Sequence, residues 1–134
     1  MFKNPVPVAV CLLPVNGKLV GIRRGIEPRK GFVALPGGYI NSGETWQQAC
    51  ARELLEETGI KCDPSLVTLF AVESGVESNR ILIFGLAPTI TEAEFNSDFK
   101  NEETQEMTFI EKGQELAFPL HTDVALKFFD SVQV

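Results

Sequence analysis

The stretch from Thr45 to Gly59 restricts the fold more than any other part of the chain, because it carries a full set of helix signals inside a strand-rich sequence. Thr45-Trp46-Gln47-Gln48 matches the capping box, in which a hydroxyl and a Gln three residues later each satisfy the other's backbone N–H. Ala49 to Thr58 are mostly helix formers, and Gly59 supplies the stop. The flanking segments read differently. Val6 to Leu13 is apolar and β-branched, and Asn16-Gly17 joins it to Lys18–Arg23 as a hairpin. Short apolar runs at 32–35, 67–73, 80–86 and 107–110 read as strands. A second helix closes the chain, with Val124, Phe128, Phe129 and Val132 at helical spacing and His121 or Thr122 near its start. Strands interleaved with helices, without a repeat or a Pro/Gly/Ser-rich linker, predict one α/β domain over 1–134.

Composition narrows the partners. The 134 residues carry 12 Lys+Arg against 18 Asp+Glu, a formal charge of −6, and 44% are hydrophobic. That is enough apolar material for one core and too much for a disordered chain. An acidic total offers no broad basic face, so neither nucleic acid nor an anionic membrane is an expected partner. No apolar run reaches the roughly 18 to 20 residues of a membrane span, and Met1-Phe2-Lys3-Asn4-Pro5 lacks the pattern of a signal peptide. The expected location is cytoplasmic. Cys11, Cys50 and Cys62 form no Cys-x-x-Cys pair and are expected as core or helix-face thiols.

At about 100° per residue, Glu53, Glu56 and Glu57 fall within an arc of roughly 100° on the first helix. Three carboxylates on one face are either splayed into water or gathered around a cation. Their oxygens suit hard ions such as Mg²⁺ or Mn²⁺, with no His or Cys nearby to favour zinc. Ahead of the helix, Pro36-Gly37-Gly38 forms a loop whose glycines let backbone approach a ligand closely, which makes Gly37 a candidate contact. The segment 23–30 concentrates four cations in a net acidic chain, a local inversion that suits a phosphate. Arg23, Arg24 and Arg29 are the candidate phosphate or ribose contacts; a solvated basic loop also fits.

Gly38, five residues, Glu44, seven residues, then Arg52-Glu53-Leu54-Leu55-Glu56-Glu57-Thr58-Gly59-Ile60 matches the Nudix box at every position. The chance frequency of that pattern is on the order of 10⁻⁹ to 10⁻¹⁰ per starting point from average residue usage. The chain therefore resembles the Nudix hydrolases, which cleave nucleoside diphosphates linked to another moiety with divalent metal in an α/β/α sandwich. The resemblance implies a mixed central sheet between the box helix and the C-terminal helix. It implies Glu53 and Glu57 as principal metal ligands, a contribution from Glu56 and from the Gly38 carbonyl, and Arg52 with Glu44 as a supporting pair.

Arg23-Arg24-Gly25-Ile26-Glu27-Pro28-Arg29-Lys30-Gly31 resembles a Nudix subgroup acting on dinucleotides or ADP-ribose-like compounds. Between Glu92 and Glu106, six acids stand against Lys100, where the family often places an extra glutamate, so Glu103 and Glu106 are candidates for a catalytic role. Leu116-Ala117-Phe118-Pro119 is expected to pack and could border the base. Trp46 is expected beside the substrate or half-buried, and His121 at a helix cap or the surface. The expectation is a Mg²⁺- or Mn²⁺-dependent hydrolase of a nucleotide-like small molecule. The alternatives are a nucleoside triphosphate pyrophosphatase and a silent nucleotide-binding module. A homodimer paired through the 6–23 hairpin is compatible with the sequence.

Overall fold

The computed structural model describes residues 3–131, so Val132 of the expected helical pattern lies outside the described residues. Strand β1 (Val6–Leu12) lies at the centre of the fold. It pairs antiparallel with β5 (Gly37–Tyr39) and parallel with β7 (Arg80–Leu86). Strand β6 (Thr68–Gly75) then borders β7, giving a sheet in the order β5-β1-β7-β6. A second sheet is built on β3 (Lys18–Arg24), which pairs with β2 (Pro14–Val15), β4 (Val33–Ala34) and β8 (Thr104–Ile110).

The period of two on β1 divides the interior. Val10 and Leu12 join Leu82, Phe84 and the apolar stripe of helix α2 (Pro119–Ser131), while Ala9 and Cys11 pack with Ala49, Cys50 and Leu54 of helix α1 (Trp46–Thr58). A strand buried on both faces reads as a continuous apolar run, and Val6 to Leu13 does. The mixed sheet thus lies between two helices, as expected.

Three expectations need correction. The Asn16-Gly17 turn forms, with φ of 48° and 77°, but it joins β2 to β3. Strand β1 leaves for the other sheet, so 6–13 and 18–23 are not the two arms of one hairpin. Both are also flanked on each side by other strands. The Gly37-Gly38 segment, expected as loop, is a short strand. A Cβ on Gly37 would come 2.6 Å from the Ala9 carbonyl oxygen, so only glycine permits that pairing. Cys11 and Cys50 are buried thiols, whereas Cys62 is half-exposed.

Candidate active site

Helix α1 begins as its sequence dictates. Thr45 Oγ1 accepts from Gln48 N–H at 3.1 Å, and Gln48 Oε1 accepts from Thr45 N–H at 2.8 Å. Gly59, at φ 75°, ends it in the left-handed conformation. The helix then sets its carboxylates against β5. Gly38 has no side chain to obstruct them; a Cβ there would overlap the Glu53 carboxylate.

Glu53 and Glu57 are buried and face each other within hydrogen-bond reach. Burial raises both above the usual carboxylate range. For Glu57 the Glu53 carboxylate and the charge of Glu103 push further the same way, opposed by the Gly37 N–H that donates to it. For Glu53 the bonds from Glu57 and Arg52 offset part of the burial effect. Glu56 stands apart. Arg52, four residues before it, reaches it at 3.3 Å through the same Nη1 that bonds Glu53, and its side chain is half-exposed. Among the described residues, no three His, Cys, Asp or Glu side chains converge as a ready ion cage. The arc of three carboxylates expected from spacing is, in space, a buried pair with a third turned to Arg52.

Arg52 organises this region. Its Nε and Nη2 donate to Glu44 at 3.0 and 2.7 Å, a two-pronged pair that holds Glu44 below the usual carboxylate range. Nη1 donates to Glu53 at 2.6 Å, and Nη2 also reaches the Tyr39 carbonyl at 2.9 Å. One guanidinium therefore ties the box helix to β5.

Glu53, Glu57, Gly37 and Gly38 form one edge of a cavity of about 840 Å³ that also includes Arg24 and Glu103. The loop before β8 delivers Glu103. Asn101 Nδ2 donates to the Glu56 carbonyl at 2.8 Å, and Thr104 Oγ1 donates to the Glu57 carbonyl at 2.8 Å, so the last turn of α1 holds the loop. From the other side, Gly25 N–H donates to the Glu103 carbonyl at 2.8 Å, an approach a side chain on Gly25 would block.

The expected cations separate. Arg24 lines the cavity, its guanidinium 5.1 Å from the Phe118 ring centroid and its Nε donating to the Pro28 carbonyl at 2.7 Å. Arg23 is occupied with Glu106 at 2.6 Å and with the Gly31 carbonyl at 2.8 Å, which also removes Glu106 from the carboxylate pair. Arg29 stacks 5.6 Å from the Phe32 centroid on the exposed loop and does not line the cavity.

His121 is neither cap nor surface residue. It is buried between Phe84 and Phe118, its Nδ1 accepts from Leu35 N–H at 3.2 Å, and burial lowers its pKa to about 3. Trp46 packs toward Gly85 and Cys50 rather than bordering the cavity. Phe118 does line the cavity, while Leu116 and Ala117 beside it are buried. Tyr39 and Arg80 are cavity residues that the sequence reading missed; Arg80 lies two residues before Leu82 on the same strand face, but nothing in the sequence says which face is hollow.

The donor set fits a hard dication. It consists of oxygen only, two buried carboxylates face each other without a cation shared between them, and Gly38 leaves the approach free. The cavity wall is thus joined to a pair of acids that burial makes costly to ionise together.

Comparison identifies the family to which this combination of box, sheet order and cavity belongs. The chain belongs to the NUDIX domain family, whose model matches residues 3–125. Among solved structures it is similar to a NUDIX hydrolase from Nitrosomonas europaea, at TM-score 0.82 and 23% identity over 98% of this chain and 74% of that one. It is also similar to the Francisella tularensis bifunctional NMN adenylyltransferase/ADP ribose pyrophosphatase complexed with AMP and Mn ion. There the TM-score is 0.66 and the identity 26%, over 84% of this chain and 36% of that one. In sequence it is 35% identical over 74 residues to an ADP-ribose pyrophosphatase of Methanocaldococcus jannaschii, and 41% identical over 64 residues to Phosphatase NudJ of Escherichia coli strain K12. Those matches span 55% and 48% of this chain but only 43% and 40% of the relatives' lengths.

Proposed function

We propose that this chain is a metal-dependent hydrolase that cleaves a phosphoanhydride bond in a nucleoside diphosphate derivative, either a dinucleotide or an ADP-ribose-like compound. The observation that carries this reading is the buried Glu53–Glu57 pair at one edge of a cavity that has Arg24 on its wall. Names among the relatives point the same way: ADP-ribose pyrophosphatase, and a neighbour bound to AMP and Mn.

Glu53, Glu57 and the Gly38 carbonyl would hold Mg²⁺ or Mn²⁺, with a contribution from Glu56. When bound, the ion would neutralise diphosphate charge and lower the pKa of water. The protein's own groups do the rest. Arg52 and Glu44 fix the Glu53 carboxylate. Arg24 and the Gly37 backbone hold the phosphates and the attached nucleoside against Phe118. Glu103, clamped by Gly25 and Asn101, takes the proton of the attacking water on a carboxylate oxygen. The water oxygen bonds to phosphorus, and the bond to the bridging oxygen breaks with its electron pair leaving on the departing phosphate.

The test is a hydrolysis panel with Mg²⁺ or Mn²⁺ over ADP-ribose, NADH, FAD, nucleotide sugars and nucleoside triphosphates, run beside Glu57→Gln. Two monophosphate products from a diphosphate derivative, lost in the variant, are expected. Release of pyrophosphate from a triphosphate as the main reaction would assign the chain to triphosphate cleavage instead. Folded protein that turns over nothing would move it to the binding modules.

A further inference from the structure

The cavity extends past its acidic edge, and there its wall changes character. Tyr39 directly follows Gly38 on β5, and Arg80 opens β7; both line the cavity. Arg80 Nη2 donates to the Tyr39 hydroxyl at 2.6 Å, its guanidinium carbon lies 5.4 Å from the ring centroid, and Nη1 donates to the Ser78 carbonyl. The hydroxyl end of Tyr39 is thus held, yet 52% of the residue is exposed. Val76, in the turn between β6 and β7, lines the same cavity at 84% exposure, the highest among the described large apolar side chains. Ile26, from the loop after β3, adds a third exposed apolar residue at 44%.

Single apolar residues on a surface need no explanation, but several around one cavity mark a surface that a ligand covers. A polyphosphate tail cannot cover them, because it is anionic and keeps its water. A flat heterocycle can: it stacks on a ring face, contacts a methyl-bearing side chain, and accepts hydrogen bonds from a guanidinium. The other cation and aromatic pair of the cavity, Arg24 over Phe118, comes from β3 and the residue before α2, so Arg24 stands on the other sheet from Tyr39 and Arg80. A volume of about 840 Å³ accommodates a ligand with two ring systems.

We propose that Tyr39, Val76 and Arg80 form a station for a second flat ring carried beyond the diphosphate, so that preferred substrates bear a heterocycle at both ends. This rests on the reading of the cavity as a diphosphate-hydrolysing site. Arg24 and Phe118 then receive the first ring.

The experiment keeps binding apart from chemistry. NADH, whose nicotinamide is the second ring, is titrated by its fluorescence onto Glu57→Gln with Mg²⁺, and ADP-ribose, which lacks that ring, is titrated by calorimetry. Adding Tyr39→Leu should weaken NADH binding about tenfold, the size of one base–aromatic stack, and change ADP-ribose binding less than twofold. Adding Tyr39→Phe, which keeps the ring, should retain most NADH affinity, and adding Val76→Ser should lose several-fold. Equal losses for the two ligands in Tyr39→Leu, or unchanged NADH affinity, would overturn the station. NADH binding that depends on Tyr39, in a protein whose wild type hydrolyses no diphosphate, would uphold the station while overturning the assigned chemistry.

Discussion

His121 is the chain's one histidine, and its surroundings fix both its charge and its tautomer. Nδ1 accepts from Leu35 N–H, so the proton of the neutral ring sits on Nε2. Burial, with Arg24 nearby, holds the pKa at about 3 against an ordinary 6.5. A depressed pKa on a base means that the unfolded chain binds the extra proton first. The stabilising effect of His121 is therefore complete above pH 6.5 and is lost as pH falls from there toward 3, by about 1.4 kcal/mol per pH unit. In an NMR titration, the imidazole of the folded protein should stay neutral from pH 8 to 5. A resonance titrating near 6.5 would show that the ring is solvated and that the bond to Leu35 is not made. The sequence hid this residue's role. A His at the start of a helix reads as a cap, and only the packing of Phe84 and Phe118, which are 34 residues apart, encloses it.

At the scale of elements, α1 was legible as a helix because its capping box and its glycine stop are local signals, while the spacing of its carboxylates did not say which of them would be buried. The Arg52–Glu44 pair, eight residues apart across the helix start, was legible only through the resemblance to the Nudix box. What holds Glu103 was not legible. Thr104 and Asn101 bond to carbonyls 47 and 45 residues away, at a helix end whose terminal C=O groups lack partners within the helix. Such a clamp leaves no periodicity in the sequence. It joins the last turn of α1 to β8, so a loss there should move Glu103 relative to Glu57. Thr104→Val, which keeps the shape and removes the hydroxyl, leaves the Glu57 carbonyl buried without that donor, at a cost of about 1–3 kcal/mol. The expected kinetics are a several-fold lower kcat with KM nearly unchanged, restored in Thr104→Ser. A lower melting temperature with kcat intact would make the bond structural only.

For the whole molecule, the separation of β1 and β3 into two sheets is what opens a cavity between them, and no local signal announces that separation. The hollow is bordered by two buried acids, so the fold carries a stability cost that a bound dication would reverse. Glu53 and Glu57 have raised pKa values, so their ionisation in the folded state is unfavourable: the stability they contribute is present in acid and declines as pH rises. In EDTA near pH 7.5, Glu57→Gln should therefore melt above the wild type. Its amide can still accept from Gly37 N–H and can donate to Glu53, without the cost of holding a proton on the Glu57 carboxyl at that pH. A gain of about 1 kcal/mol corresponds to roughly 3–5 °C in a chain of this length. Millimolar Mg²⁺ should raise the wild-type melting temperature, because an ion that binds only the folded state shifts the equilibrium toward it. The variant, with one ligand of the pair neutralised, should respond weakly, so the two melting curves converge as metal is added. A variant that melts below the wild type in EDTA, together with a wild type indifferent to Mg²⁺, would mean that the pair is a structural, proton-sharing contact and that the ion is held elsewhere.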